Sequence, residues 1–89
     1  MSMKTKIEAK LKLALRPEAI DVVDESHLHE GHSGWRPSGE THFRVYLVCD
    51  AFVGKSRLER HRMVNTLLSE ELADGLHALA IHAAAPGQS

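Results

Sequence analysis

A chain of 89 residues with a net charge of −1 and one cysteine makes one modest domain, because at this size only ~60% of the unfolded surface is buried. Near-neutral charge gives no global pull toward nucleic acid or membrane. The lone Cys excludes an internal disulfide and fits a reducing compartment. No run nears the ~18 apolar residues of a membrane span, and the first ten residues lack the unbroken apolar stretch of a secretory signal, so a cytoplasmic protein is expected.

Residues 3 to 15 place Met3, Ile7, Leu11, Ala14 and Leu15 at helical spacing, with Lys4, Lys6, Glu8, Lys10 and Lys12 largely around the other side. Pro17 stops this predicted helix. Residues 19 to 25 are short and β-branched and read as a strand. Residues 26 to 39 hold three Gly, three Ser and one Pro and read as a loop. Such a loop is long for so small a domain, and long loops are usually functional or disordered.

Residues 41 to 50 alternate: Phe43, Val45, Leu47 and Cys49 point one way, His42, Arg44, Tyr46 and Val48 the other. This predicts a half-buried strand. A turn over Ala51 to Gly54 leads to a helix whose cap is Ser56, with Glu59 completing a capping box. That helix is expected to bury Leu58, Val64, Leu67, Leu68 and Leu72, with a break near Ser69, read as the cap of a second short helix. Gly75 suits the position just past a helix end. Residues 77 to 83 form the last strand, Leu79 and Ile81 on one face and Ala78, Ala80 and His82 on the other.

The predicted order is αββααβ in a single domain, residues 1–89, with a core of about 3–83 and a tail at 84–89. Three strands cannot close a barrel, so an open mixed sheet with helices on one face, an α+β fold, is expected. The first two strands pair antiparallel across the loop. The last follows a helical crossover and runs parallel to its neighbour.

The chemistry is concentrated in histidines. His27, His29 and His32 crowd the loop, and His77 heads the last strand. Imidazole is the commonest protein metal ligand. With a single cysteine the chain cannot complete a site in thiolate, which points to a metal centre shared with a partner. Plainer readings stand beside this one. His77 suits a strand end, hydrogen-bonded to backbone, and the loop histidines suit a polar loop. His42 reads as a surface or cross-strand residue, His82 as structural or exposed, and Cys49 as a small buried hydrophobe. Trp35 either packs over the loop or anchors a partner.

Asp24-Glu-Ser-His27, Gly39-Glu-Thr-His-Phe-Arg-Val45, Phe52-Val-Gly-Lys-Ser-Arg-Leu-Glu-Arg-His-Arg-Met-Val-Asn65, Ser69-Glu-Glu-Leu72 and His77-Ala-Leu-Ala-Ile81 resemble the BolA family, in order, from about Asp24 to Pro86. The resemblance implies a class II KH-like αββααβ fold. It also implies a monothiol glutaredoxin partner and a [2Fe–2S] cluster shared with it. The glutaredoxin supplies one Cys and glutathione another thiolate. The BolA-like chain supplies ligands from the loop between its first two strands and from the start of its last. His77 falls on the strand-start histidine of that pattern. The common loop position, seven residues before Glu40, is Ser33 here, so His32 is the first choice of loop ligand, His29 the second and His27 the third. Two thiolates facing two imidazoles would resemble a Rieske centre, and occupancy would fall as the imidazoles protonate.

The basic run Lys55, Arg57, Arg60, His61 and Arg62 carries the competing reading, a DNA-binding regulator with cations at a helix start; the family has a link to transcription as well. A KH domain grips its ligand through Gly-x-x-Gly, whereas Gly54 is followed by Lys55, Ser56 and Arg57, and the sequence offers no evident aromatic platform for single strands. The same cations would also suit the acidic surface of a glutaredoxin or glutathione carboxylates. Asp24 and Glu25 lack a matched nucleophile, and no phosphate loop is present, so no enzyme is expected. The isolated chain is expected to be a monomer with no membrane partner.

Overall fold

The computed structural model describes residues 2–25, 42–76 and 78–87. Helix α1 spans Met3–Leu15, opened by Ser2, whose hydroxyl accepts from the Thr5 N–H. Met3, Ile7 and Leu11 repeat every four residues and form its buried stripe. The helix ends before Pro17, with Arg16 in the left-handed region (φ 48°) and its N–H donated to the Lys12 carbonyl.

Three strands follow, β1 (Ala19–Asp24), β2 (His42–Val48) and β3 (Ala78–Ala84), in the sheet order β1-β2-β3. β1 pairs antiparallel with β2, Val22 opposite Val45, and β3 pairs parallel with β2, Ile81 opposite Val45. Between β2 and β3 lie a 3-10 turn (Asp50–Phe52), α2 (Arg57–Leu67) and α3 (Ser69–Ala73). Gly54, at φ 75°, sits in a conformation other residues rarely adopt. Ser56 and Glu59 form the expected capping box.

The alternation in β2 sorts its residues as the sequence implies. Phe43, Val45 and Leu47 are buried with Val22 and Ile81 from the flanking strands, against Ile7 and Leu11 of α1, Val64 of α2 and Leu68 at its end. Cys49 continues that row, fully buried, its thiol donating to the Leu15 carbonyl at 3.0 Å. It packs as a small hydrophobe. Glu71, 6% exposed, is held by Lys10 Nζ at 2.9 Å. This contact ties α3 to α1 and removes the cost of burying an unpaired carboxylate.

Several local expectations change. Leu58 is 58% exposed rather than buried. α2 packs through the face of Val64 and Leu68, and helical geometry puts Leu58 off that face. Ser69 is not a cap: α3 begins at Ser69 with Leu68 in the cap position and no side-chain cap bond. β3 runs on to Ala84, and Ala85 is 7% exposed, so packing continues into the stretch read as tail. Of the two readings of His42 the surface one fails, since it is buried at 5% exposure, and it stands cross-strand from Ala78.

The core assignment gives a direct check. Leu68→Ala should destabilise the protein by ~2–5 kcal/mol in urea unfolding, whereas Leu58→Ala on the same helix should change stability by less than about 0.5 kcal/mol beyond its small helix-propensity effect.

Candidate partner-binding site

All the proposed metal ligands, His77, His32 and His29, with His27, lie outside the described residues, as does Trp35. Among the described residues, no group of three or more His, Cys, Asp or Glu is placed to hold a metal ion. The sheet nonetheless fixes where the flanking segments begin. The Glu25 N–H, just past β1, donates to the His42 carbonyl at 2.8 Å, and His42 stands opposite Ala78 in the parallel register. Residues 25, 42 and 78 therefore meet at one end of the sheet.

At that end, and along the sheet face away from the helices, lies a polar network. Arg44 on β2 donates from Nε to Glu25 at 3.0 Å, and its Nη1 lies 2.8 Å from His82 Nε2 on β3. The Glu25 hydrogen bond, reinforced by its negative charge, raises the Arg44 pKa further and keeps the guanidinium charged. Arginine has no acceptor, so it must be the donor, and the His82 proton belongs on Nδ1. Next along the face, Tyr46 and His82 stack with centroids 4.7 Å apart and planes 13° from parallel. Tyr46 remains 43% exposed and Val23 36%.

A cleft of about 820 Å³ lies at the β3 edge, and its lining includes Arg57, Arg60 and His61 of α2 with Tyr46, Ile81 and His82 of the sheet. The three helical residues lie at i, i+3 and i+4, one face of a helix. Arg60 is anchored inward. Its Nε donates to the Lys55 carbonyl and its Nη1 to the Ala83 carbonyl, each at 3.0 Å, and its guanidinium carbon sits 5.9 Å over the Phe52 ring. Arg62 points elsewhere, lining an apolar groove of about 420 Å³ with Ala14, Leu15 and Met63 between α1 and α2. Lys55 is exposed before the helix. The basic run is thus split: Arg57 and His61 face the cleft, Arg62 another side, and Arg60 braces the turn against β3.

The sequence missed the Tyr46–His82 pair. Tyr46 and His82 were each placed on the open face by alternation, but only the parallel register Tyr46 opposite His82 puts their rings together.

A sheet of order β1-β2-β3, with a parallel final pair and helices on one side, defines a KH-like α+β module. The sequence model for BolA-like proteins matches residues 11–88, and the chain belongs to the BolA family. An uncharacterized Sinorhizobium protein is 52% identical over 89 residues, covering 99% of this chain and 96% of that one. The DNA-binding transcriptional regulator BolA of Escherichia coli is 45% identical over 82 residues, covering 92% and 74%. The BolA domain of SufE1 from Arabidopsis thaliana superposes with a TM-score of 0.90 at 44% identity, covering 100% of this chain and 98% of that one. No helix among the described residues is long and apolar enough to cross a membrane.

Two measurements check this geometry. Nitrogen-detected NMR should find neutral His82 protonated at Nδ1, and Arg44→Met should release that preference. The capping box holds the Glu59 carboxyl below the usual carboxylate range, chiefly through its bond from the Ser56 backbone N–H. Its stabilisation is therefore complete above the unfolded pKa and lost as pH falls through the lower folded value. Acid unfolding of Glu59→Gln should lack this component.

Proposed function

We propose that this protein is the partner of a monothiol glutaredoxin and contributes imidazoles to a [2Fe–2S] cluster held between the two, for iron–sulfur trafficking or iron-status regulation. His77 and one loop histidine, His32 before His29, are the proposed ligands. A cytoplasmic location belongs to the same reading.

One observation carries most weight: β1 and β2 end and begin, and β3 begins, at the same end of the sheet, tied by the Glu25–His42 bond and the His42–Ala78 register. The two ligand-bearing segments are rooted within a strand spacing of each other, as two ligands to one iron require. Cys49 is unsuited to the task because its thiol is buried and bonded to Leu15. Thiolate must then come from the partner, which matches a chain that supplies only half the donors.

A second reading is favoured by the E. coli relative, whose name is that of a DNA-binding regulator: the start of α2, with Lys55 and Arg57 exposed, contacts duplex DNA. Phosphate contacts of this kind are strongly salt-dependent. The glutaredoxin reading does not need them.

Mixing the protein with a cluster-loaded monothiol glutaredoxin should change the visible circular dichroism at 1:1 stoichiometry, and the change should fade on mild acidification as imidazole protonates. His77→Ala should abolish the new spectrum, and His32→Ala should alter it more than His29→Ala. An unchanged spectrum with wild type, or the same change with His77→Ala, sinks the proposal.

A further inference from the structure

The two outer strands of the sheet, β1 and β3, are guarded differently. A strand edge presents N–H and C=O groups that pair readily with another chain, and proteins blunt it with charge or proline. β1 carries Asp21 and Asp24 and is flanked by Glu18 and Glu25. β3 carries no acid, lysine, arginine or proline, and Ala78, Ala80, Ala83 and Ala84 leave room beside its backbone. Its backbone groups alternate in direction. The Cys49 N–H donates to the Ala84 carbonyl, so the even-numbered residues face β2. Leu79, Ile81 and Ala83 therefore turn their N–H and C=O groups outward, and there Arg60 Nη1 donates to the Ala83 carbonyl at 3.0 Å. One acceptor of this edge is thus already served by a donor from outside the sheet.

We propose that the β3 edge pairs with an extended acidic peptide segment of a partner protein, which adds a fourth strand beside Leu79 to Ala83 with its carboxylates toward Arg57 and His61. The cleft at this edge is lined from both faces of the sheet, by Ile81, Ala83 and α2 on one side and by Tyr46 and His82 on the other. A strand laid along the edge meets both, since its side chains alternate between the faces. On the helical side they meet Arg57, exposed, and His61, half-buried, and the described lining holds no carboxylate, so acidic residues suit that side. On the other they meet the stacked Tyr46–His82 rings, which suits apolar or aromatic residues. A second copy of this chain is disfavoured as the occupant. Antiparallel pairing of β3 with its own copy puts the Arg57 and His61 of two α2 helices on the same side of the joined sheet, where like charges oppose each other. The inference rests on neither functional reading, because neither the histidine loop nor a phosphate contact enters it.

The test uses the apoprotein alone, so its failure leaves the glutaredoxin reading untouched. The probe is a fluorescein-labelled nonapeptide that alternates Glu with Val and Tyr, followed by anisotropy. Beside it run a version with Lys for each Glu, a scrambled version without alternation, and one N-methylated along its backbone, which has no main-chain donors. The first should bind about ten-fold or more tightly than each of the others. Arg57→Glu should weaken it by about ten-fold or more and improve binding of the Lys version; an acid at the first turn of α2 suits the helix, so the variant folds. Amide exchange should carry the signature of an added strand. The Leu79, Ile81 and Ala83 N–H groups should slow when peptide is bound, while those of Ala80 and His82, which face β2, change little. The proposal is overturned if the acidic peptide does not bind, if the scrambled or N-methylated peptide binds as well, or if the outward amides do not slow. It is also overturned if sedimentation shows a dimer whose Leu79 and Ile81 amides are protected before peptide is added, which would make a second copy the occupant.

Discussion

The parallel pairing of β2 with β3 is the constraint from which the arrangement follows. A parallel neighbour cannot be reached by a tight turn, so the chain must leave the end of β2, cross over, and return to the starting end. The 3-10 turn, α2 and α3 make that crossover. Their apolar residues Phe52, Val64, Leu68 and Leu76 fill the helical side of the sheet, and α1 completes it through Ile7 and Leu11. The Lys10–Glu71 bond then closes the layer by joining the first helix to the last. Because both the crossover and α1 lie on one side, the other face of the sheet carries, among the described residues, Tyr46, Arg44 and His82.

The same pairing decides which chemistry meets. Its register puts His42 opposite Ala78 and Tyr46 opposite His82. The first of these brings the start of β2 beside the head of β3. The second builds a ring pair from residues 36 positions apart in sequence. Arg44 bridges between them, reaching Glu25 on one side and His82 on the other. Among the described residues, Glu25, Arg44, His82 and Tyr46 therefore form one connected polar and aromatic network on that face.

Much of this was legible in the chain. The alternation of Phe43, Val45, Leu47 and Cys49 fixed the buried side of β2. The Ser56–Glu59 pair marked the start of α2, and Pro17 the end of α1. The αββααβ order, with its antiparallel and parallel pairs, follows from the lengths of the connections. The misses share a cause. Leu58 is apolar and helical, so composition favours burial, but its angular position relative to Val64 and Leu68 sends it to solvent. His42 alternates with the polar face, yet it lies at the sheet end where exposure depends on what adjoins it. Ring stacking and ion-pair bridging depend on register between strands, and no local pattern encodes register.

The basic run shows why a cluster of charge in sequence overstates a site. Lys55, Arg57, Arg60, His61 and Arg62 look like one cationic patch, but helical geometry turns each successive residue by about 100°. Arg57 and His61 share a face with Arg60, whose donors are taken up by the Lys55 and Ala83 carbonyls and whose plane lies over Phe52. Arg62 falls toward α1, beside Met63 and Ala14. A ligand at the β3 edge meets two side chains of the five directly, and one at the α1 side meets a different one. Binding through this helix must therefore use one face or the other, Arg57 and His61 in the cleft beside β3 or Arg62 in the groove against α1.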